Sequence, residues 1–312
     1  MLPYNDVAMI AQYVATLVPA SHDLQIERVA EGVSTIVYRV RAADHTAYLR
    51  ICPEAGVSLA AEVVAHQQLI ALGLRVPHVL HFEADHPVFQ RSLMLVSAVP
   101  GRAIGAGQPP LRVDLVLRLA GREIARMNQI PVQGYGWANR IAPTTGGLAA
   151  EYATLAAWLQ AHFAGPIQAL AMGDALSGHE VAQLALLLER AADMFAHEAA
   201  VLAHGDFDVT HIYFQHDAYT GMIDLGEIRG APWFYDLSHF AIENGPLLPY
   251  LLAGYQDVRS ATPTDLANLR LMSVLIAARR IGRRMLQQRR PHAPDVAYVV
   301  RMLAALDGSI QR

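Results

Sequence analysis

Asp206 and Asp224 are the residues of this chain whose setting reads most directly as chemistry. The first lies in His204-Gly205-Asp206-Phe207-Asp208-Val209-Thr210-His211-Ile212-Tyr213-Phe214. The second lies in Gly221-Met222-Ile223-Asp224-Leu225-Gly226-Glu227. Ile212–Phe214 and Gly221–Ile223 are short apolar runs of strand character, so Asp206 precedes one strand and Asp224 leaves the end of the next. A hairpin of these strands brings both carboxylates and His211 toward one point. Phosphoryl transfer needs such parts: one carboxylate positions and deprotonates an attacking hydroxyl, and a second holds Mg²⁺ against nucleotide phosphates. The simpler alternative is a plain hairpin with solvated acids and a core histidine. Asp208, His216 and Asp217 read as loop and turn residues, and Glu227 as either a structural residue or a contact to metal or substrate.

The ordered string resembles the catalytic core of the aminoglycoside phosphotransferase family, relatives of the protein kinases. The resemblance is dense from Val201 to Phe240 and diffuse elsewhere. It implies that Asp206 is the catalytic base, Asp224 the metal-binding aspartate, and Asp236, in Tyr235-Asp236-Leu237, a brace of the catalytic loop together with His204. Where that family usually carries asparagine this chain has His211, a softer ligand for Mg²⁺ than an amide oxygen. The macrolide phosphotransferases are similar to this chain in carrying histidine there, so the resemblance implies His211 as the second metal ligand.

In the first hundred residues the same resemblance places Arg50 at the position of the phosphate-binding lysine. Arginine grips phosphate bidentately and keeps its charge. Glu62 shares a helical stripe with Leu59 and Leu69 and is expected to face inward, where a buried carboxylate requires a cation; Arg50 is the nearest by topology. Gly32-Val33-Ser34 is either the loop over the phosphates, contributing Gly32 and Ser34, or an ordinary hairpin turn. Ser97-Ala98-Val99, before Pro100-Gly101, takes the place of the kinase hinge, where Ser97 and Val99 offer backbone groups to a nucleotide base. Backbone recognition leaves ATP and GTP equally open.

The elements that must position these residues follow from period and punctuation. Leu24–Val29, Ile36–Val40 and Ala47–Ile51 read as an antiparallel meander, Ser58–Leu72 as a helix capped by Ser58, and Val79–Phe82 and Leu93–Val96 as further strands. Val113–Asn128, Ala149–Phe163, His179–Ala192 and Leu266–Gln288 read as helices. The expected fold is α+β: a two-lobed, protein-kinase-like arrangement with a small β-rich nucleotide-binding lobe over residues 1–101, ending in the hinge, and a larger, mainly helical catalytic and substrate-binding lobe over 102–312. Arg279, Arg280, Arg283 and Arg284 read as the solvated face of the last of these helices.

Composition narrows the remaining classes. The 312 residues are 53% hydrophobic and 17% charged, with a net charge of -4, which favours a globular chain and gives no reason to expect nucleic acid or an anionic membrane as partner. The single cysteine, Cys52, is expected as a small buried hydrophobe. Neither a signal peptide nor a transmembrane run stands out, so the expected location is the cytoplasm.

The expected function is transfer of the γ-phosphoryl of ATP or GTP, with Mg²⁺, to a hydroxyl of an amine-bearing natural product such as an aminoglycoside or macrolide, with antibiotic resistance as one biological outcome. Two rival classes stay open. One is a nucleotide-binding pseudokinase without turnover. The other is a metallohydrolase built on His204, Asp206, His211, His216 and Asp224, drawn from 14 histidines but without a paired-histidine helix.

Overall fold

The computed structural model describes residues 6–18, 24–29, 35–42, 45–141 and 147–310. The expected phosphate-loop residues Gly32 and Ser34 lie outside the described residues. Helix α1 (Val7–Leu17) packs on a sheet formed by β1 (Gln25–Val29), β2 (Ile36–Ala42) and β3 (His45–Ile51); helix α2 (Ala60–Ala71) precedes the last two strands, β4 (Val79–Glu83) and β5 (Leu93–Ser97). The strand order is β1-β2-β3-β5-β4, with every pairing antiparallel.

Strand alternation decides which side chains each helix covers. Ala47, Leu49 and Ile51 of β3, with Leu93 and Leu95 of β5, point to α1 and bury Ile10 and Val14. Met94 and Val96 point the other way and pack with Cys52, Leu59 and Val63 on the α2 side. Arg50, between Leu49 and Ile51, therefore faces α2. Cys52 is a buried hydrophobe, as its sequence setting indicates.

Helix α2 differs at its start from the sequence expectation. Its cap position is Leu59, and Ser58 Oγ instead accepts the Ala60 N–H at 3.1 Å. The cause is tertiary: the Ser58 N–H donates to Arg140 O (2.8 Å) and the Leu59 N–H to Ser92 Oγ (3.0 Å), holding both residues ahead of the first turn.

The rest of the chain is mainly helical. It runs through β6 (Arg102–Ala103), α3 (Val113–Met127), β7 (Val132–Gln133), β8 (Tyr135–Ala138) and β9 (Leu148–Tyr152). The short helices α4 (Leu155–Leu159) and α5 (Gly165–Ala169) then lead to α6 (Gly178–Met194). The segment 149–163 thus opens as a strand, contrary to the helix expected there, and the helix begins only where Thr154 caps the Ala157 N–H.

Two small sheets carry the candidate site. One contains β10 (Val201–Ala203) and the other the hairpin β11 (Ile212–Gln215) and β12 (Ala218–Met222); β13 (Arg229–Ala231) pairs with β10 and β8. His216 and Asp217 turn the hairpin with φ of 48° and 60°, as in a two-residue turn with both central residues left-handed. β6 pairs with β11, so the segment after Gly101 lies directly on the hairpin.

Helices α7 (Tyr235–Asn244), α8 (Leu248–Gln256), α9 (Pro263–Leu286) and α10 (Ala293–Ile310) complete the chain. α9 is the central helix of this part: every residue from Leu271 to Arg279 is buried, because neighbouring helices surround it. The arginines read as a solvated face divide accordingly. Arg279 is buried over the Phe163 ring, its Nε donating to His162 O, and burial holds its pKa down to about 10. Arg280 pairs with Glu243 and Asp295, while Arg283 and Arg284 are exposed.

Candidate active site

β10 delivers His204-Gly205-Asp206 to the surface of the helical part, and one carboxylate sets the turn. Asp236, in the first turn of α7 and fully buried, accepts the His204 N–H at 2.8 Å and the Gly205 N–H at 2.9 Å, one on each oxygen. Gly205 has φ +89°, and a methyl group there would lie 2.0 Å from Glu227 O, so only glycine fits both the backbone and the space.

His204 is buried, and burial lowers its pKa, which keeps it neutral. Its Nε2–H donates to Ile223 O at 2.8 Å, and its Nδ1 accepts the Asp206 N–H at 3.4 Å. These partners assign one tautomer. A single imidazole thereby joins the backbone before Asp224 to the backbone of Asp206.

His211 repeats the pattern from the other side. Its Nδ1–H donates to Asp206 O at 2.7 Å, which turns Nε2 outward, 3.8 Å from Asp224 Oδ2. An imidazole nitrogen and a carboxylate oxygen side by side form a donor pair that fits a cation, which would take the place of any proton on Nε2; the Nδ1 bond fixes the ring orientation. Among the described residues no group of three histidine, cysteine, aspartate or glutamate side chains gathers as metal ligands, and His216 sits exposed in the hairpin turn.

Asp224 adopts φ 63° and ψ 65°, a left-handed conformation that aspartate tolerates better than most residues. Burial raises its pKa, but the Arg50 guanidinium beside it outweighs that and holds the carboxyl below its ordinary range. Its side chain is half exposed, as is that of Asp206, so both carboxylates are open to a ligand.

Arg50 reaches this point from the first sheet. Its Nη1 donates to Glu62 Oε2 at 2.6 Å, and its Nη2 lies 3.4 Å from both Asp224 Oδ1 and Thr35 Oγ1. Burial opposes the charge on Arg50, yet the Glu62 and Asp224 carboxylates raise its pKa, so the arginine stays protonated. Two sequence-distant parts of the fold therefore meet in the chain Glu62–Arg50–Asp224.

The segment at the hinge position is partly committed to its own sheet. The Ser97 N–H donates to His78 O (2.9 Å), Ser97 Oγ accepts the His78 N–H (2.9 Å), and the Ala98 N–H donates to Thr46 O (3.1 Å). Val99 follows, and its side chain packs near Gly221. Gly101 has φ +91°, and a methyl group there would meet Phe214 O at 2.1 Å.

Of the other residues weighed in the sequence, Asp208 Oδ1 accepts the Thr210 N–H at 2.6 Å, closing the loop locally. Glu227 Oε2 accepts from Trp137 Nε1 at 2.9 Å and from Arg229 Nη2 at 3.0 Å, which ties it to the scaffold. Sequence reasoning passed over His239, whose Nε2 lies 3.3 Å from Asp206 Oδ1. Its signal was the spacing Asp236-Leu237-Ser238-His239, which puts both side chains on one face of a helix.

Comparison with known proteins identifies the family and the fold. The phosphotransferase enzyme family matches residues 25–270. A thermostable mutant of the aminoglycoside phosphotransferase APH(4)-Ia, solved as a ternary complex with AMP-PNP and hygromycin B, superposes with a TM-score of 0.68 at 13% identity, covering 95% of this chain and 97% of its own. A putative fructosamine-3-kinase from Thermobifida fusca gives 0.63 at 18% identity, covering 94% and 98%. The macrolide 2′-phosphotransferase MphH from Brachybacterium faecium, as apoenzyme, gives 0.60 at 15% identity, covering 97% and 98%. No curated protein matches the sequence. No helix among the described residues is long and apolar enough to cross a membrane. With the family matched over most of its length and a kinase-like α+β fold around the Asp206–Asp224 site, the chain belongs to the phosphotransferase enzyme family.

Proposed function

We propose that this phosphotransferase moves the γ-phosphoryl group of ATP or GTP to a hydroxyl of a small, amine-bearing molecule. One observation carries the reading. Asp206 presents a half-exposed carboxylate on a loop whose backbone is fixed at both faces, by His204 and by His211, beside the Glu62–Arg50–Asp224 chain. Asp206 aligns the acceptor hydroxyl and accepts its proton as the phosphoryl group leaves. Arg50, oriented by Glu62, grips the nucleotide phosphates; the base lies along the segment that contains Val99. Asp224 and His211 are the residues that would hold Mg²⁺, which when bound neutralises charge on the β- and γ-phosphates. His204 and Asp236 keep Asp206 and Asp224 in register and take no part in proton transfer.

The test is phosphoryl transfer from ATP and from GTP, with Mg²⁺, across aminoglycosides, macrolides and simple amino alcohols. Asp206→Asn should retain nucleotide binding while its turnover falls by roughly 10²- to 10⁴-fold. Turnover at the wild-type level in that variant, or no binding of either nucleotide, would overturn the assignment.

A further inference from the structure

Asp206 is held at its backbone by two imidazoles, but its carboxylate has a third imidazole as neighbour. On α7, Asp236 and His239 lie one turn apart and face the same loop. Asp236 takes the N–H groups of His204 and Gly205. His239 comes next along that face: Nδ1 has hydrogen-bond geometry to Phe207 O at 3.4 Å, and Nε2 lies at ion-pair distance, 3.3 Å, from Asp206 Oδ1. The His239 side chain is 12% exposed, whereas that of Asp206 is 47% exposed.

The charges around His239 limit its state. Asp206 faces it from the catalytic loop. Burial, helped by the positive charges of Arg280 on α9 and Arg229 on β13, outweighs the Asp206 carboxylate, so the His239 pKa is lowered and the ring carries one proton. That proton has two possible seats. On Nδ1 it would serve the Phe207 carbonyl, leaving the Nε2 lone pair against the Asp206 carboxylate, a repulsive contact. On Nε2 it would serve the ionised carboxylate, and charge-assisted bonds of this kind are the stronger.

We infer that His239 is a positioning residue for the catalytic carboxylate: its Nε2–H holds Asp206 Oδ1 and turns Oδ2 toward the acceptor hydroxyl. α7 then fixes the loop twice, Asp236 through its backbone and His239 through the side chain that meets the substrate. This inference rests on the reading of Asp206 as the base.

Two measurements test it, and they fail independently of the functional reading. The first needs no acceptor. In ¹⁵N-histidine-labelled protein, with the His239 signals assigned by their loss in His239→Gln, the ring should be neutral with its proton on Nε2, and its resonances should move in Asp206→Ala. A proton on Nδ1, or no response to Asp206→Ala, overturns the proposal and leaves the kinase assignment standing.

The second is kinetic. His239→Leu should lower kcat roughly 10- to 100-fold, the scale of a misplaced catalytic group, with Mg²⁺-nucleotide affinity unchanged within about twofold. His239→Gln, which keeps a donor near Nε2, should recover most of that loss. In an Asp206→Asn background His239→Leu should cost little more, because residues that act as a unit are not additive. A loss that adds fully to that of Asp206→Asn, or a Gln variant as slow as the Leu variant, overturns the role. Absence of Asp206-dependent transfer in the wild type would instead refute the functional reading, with the tautomer still measurable.

Discussion

The carboxylate of Asp236 bonds two consecutive backbone N–H groups, and the interior offers those groups nothing else in its place. Truncating it leaves both donors buried and unpaired, at about 1–3 kcal/mol each. Asp236→Ala should therefore lower stability by several times the effect of a surface change and slow turnover as the loop loses its shape. Chemical denaturation together with the transfer assay checks this; an Ala variant with wild-type stability would mean that water or a neighbour replaces the carboxylate. The convergence of Asp206, His211 and Asp224 was readable because all three flank one short hairpin, where the order of residues nearly sets the geometry. Arg50 and Glu62 were readable for a related reason, since strand alternation and helical spacing aim both into the same space. His239 was readable only in part: its spacing from Asp236 puts it on the same helix face, but its approach to Asp206 depends on how α7 docks on the loop.

At the level of elements, α3 and α8 cross at a backbone-to-backbone contact. A methyl group on Gly121 would lie 2.0 Å from Leu251 O, and one on Gly254 would lie 1.8 Å from Arg118 O. The crossing matters to the site because α3 carries Glu123, which accepts the Arg75 N–H at 3.0 Å and the Tyr219 hydroxyl at 2.8 Å and so anchors the strand that leads to Asp224. Gly254→Ala must push two helices apart and should destabilise the protein by about 1–3 kcal/mol. Gly178, at the start of α6 with open space around it, is the matched control, and alanine there should be neutral or slightly stabilising. Equal denaturation midpoints for the two variants would contradict the packing argument. The helices α3, α6 and α9 were legible from their period, with ends that shift by a few residues. β8 and β9 were not: Tyr135–Ala138 and Leu148–Tyr152 are rich in alanine and glycine and become strands only because β13 and β7 offer them partners. The burial of Arg279 was hidden likewise, since α9 is enclosed by helices from distant parts of the chain.

For the molecule as a whole, one buried histidine links stability to pH. His66 on α2 donates from Nδ1 to Pro77 O at 2.8 Å, and burial, helped by the Arg50 charge, lowers its pKa from 6.5 to about 4. The unfolded chain takes up this proton near pH 6.5, and the folded protein does so only near pH 4. Stability from this group is complete above pH 6.5 and is lost as pH falls toward 4, by about 3 kcal/mol at roughly 1.4 kcal/mol per pH unit. His66→Asn keeps a donor near Nδ1 and cannot titrate, so its stability should fall less between pH 7 and pH 4.5 than that of the wild type. Denaturant curves at both pH values measure the difference, and parallel losses would exclude His66 as the cause.

The left-handed backbone at Asp224 bears on how this lineage can change. Of the residues that could replace aspartate there, glycine and asparagine accept the conformation with little strain, whereas alanine and branched residues do not. A descendant that gave up catalysis but kept the fold would drift first to asparagine or glycine at this position. On the metal-binding role proposed for Asp224, asparagine or glycine aligned with it in a relative is thus a mark of lost chemistry in an intact scaffold, whereas a bulky residue there marks a loop that has been rebuilt.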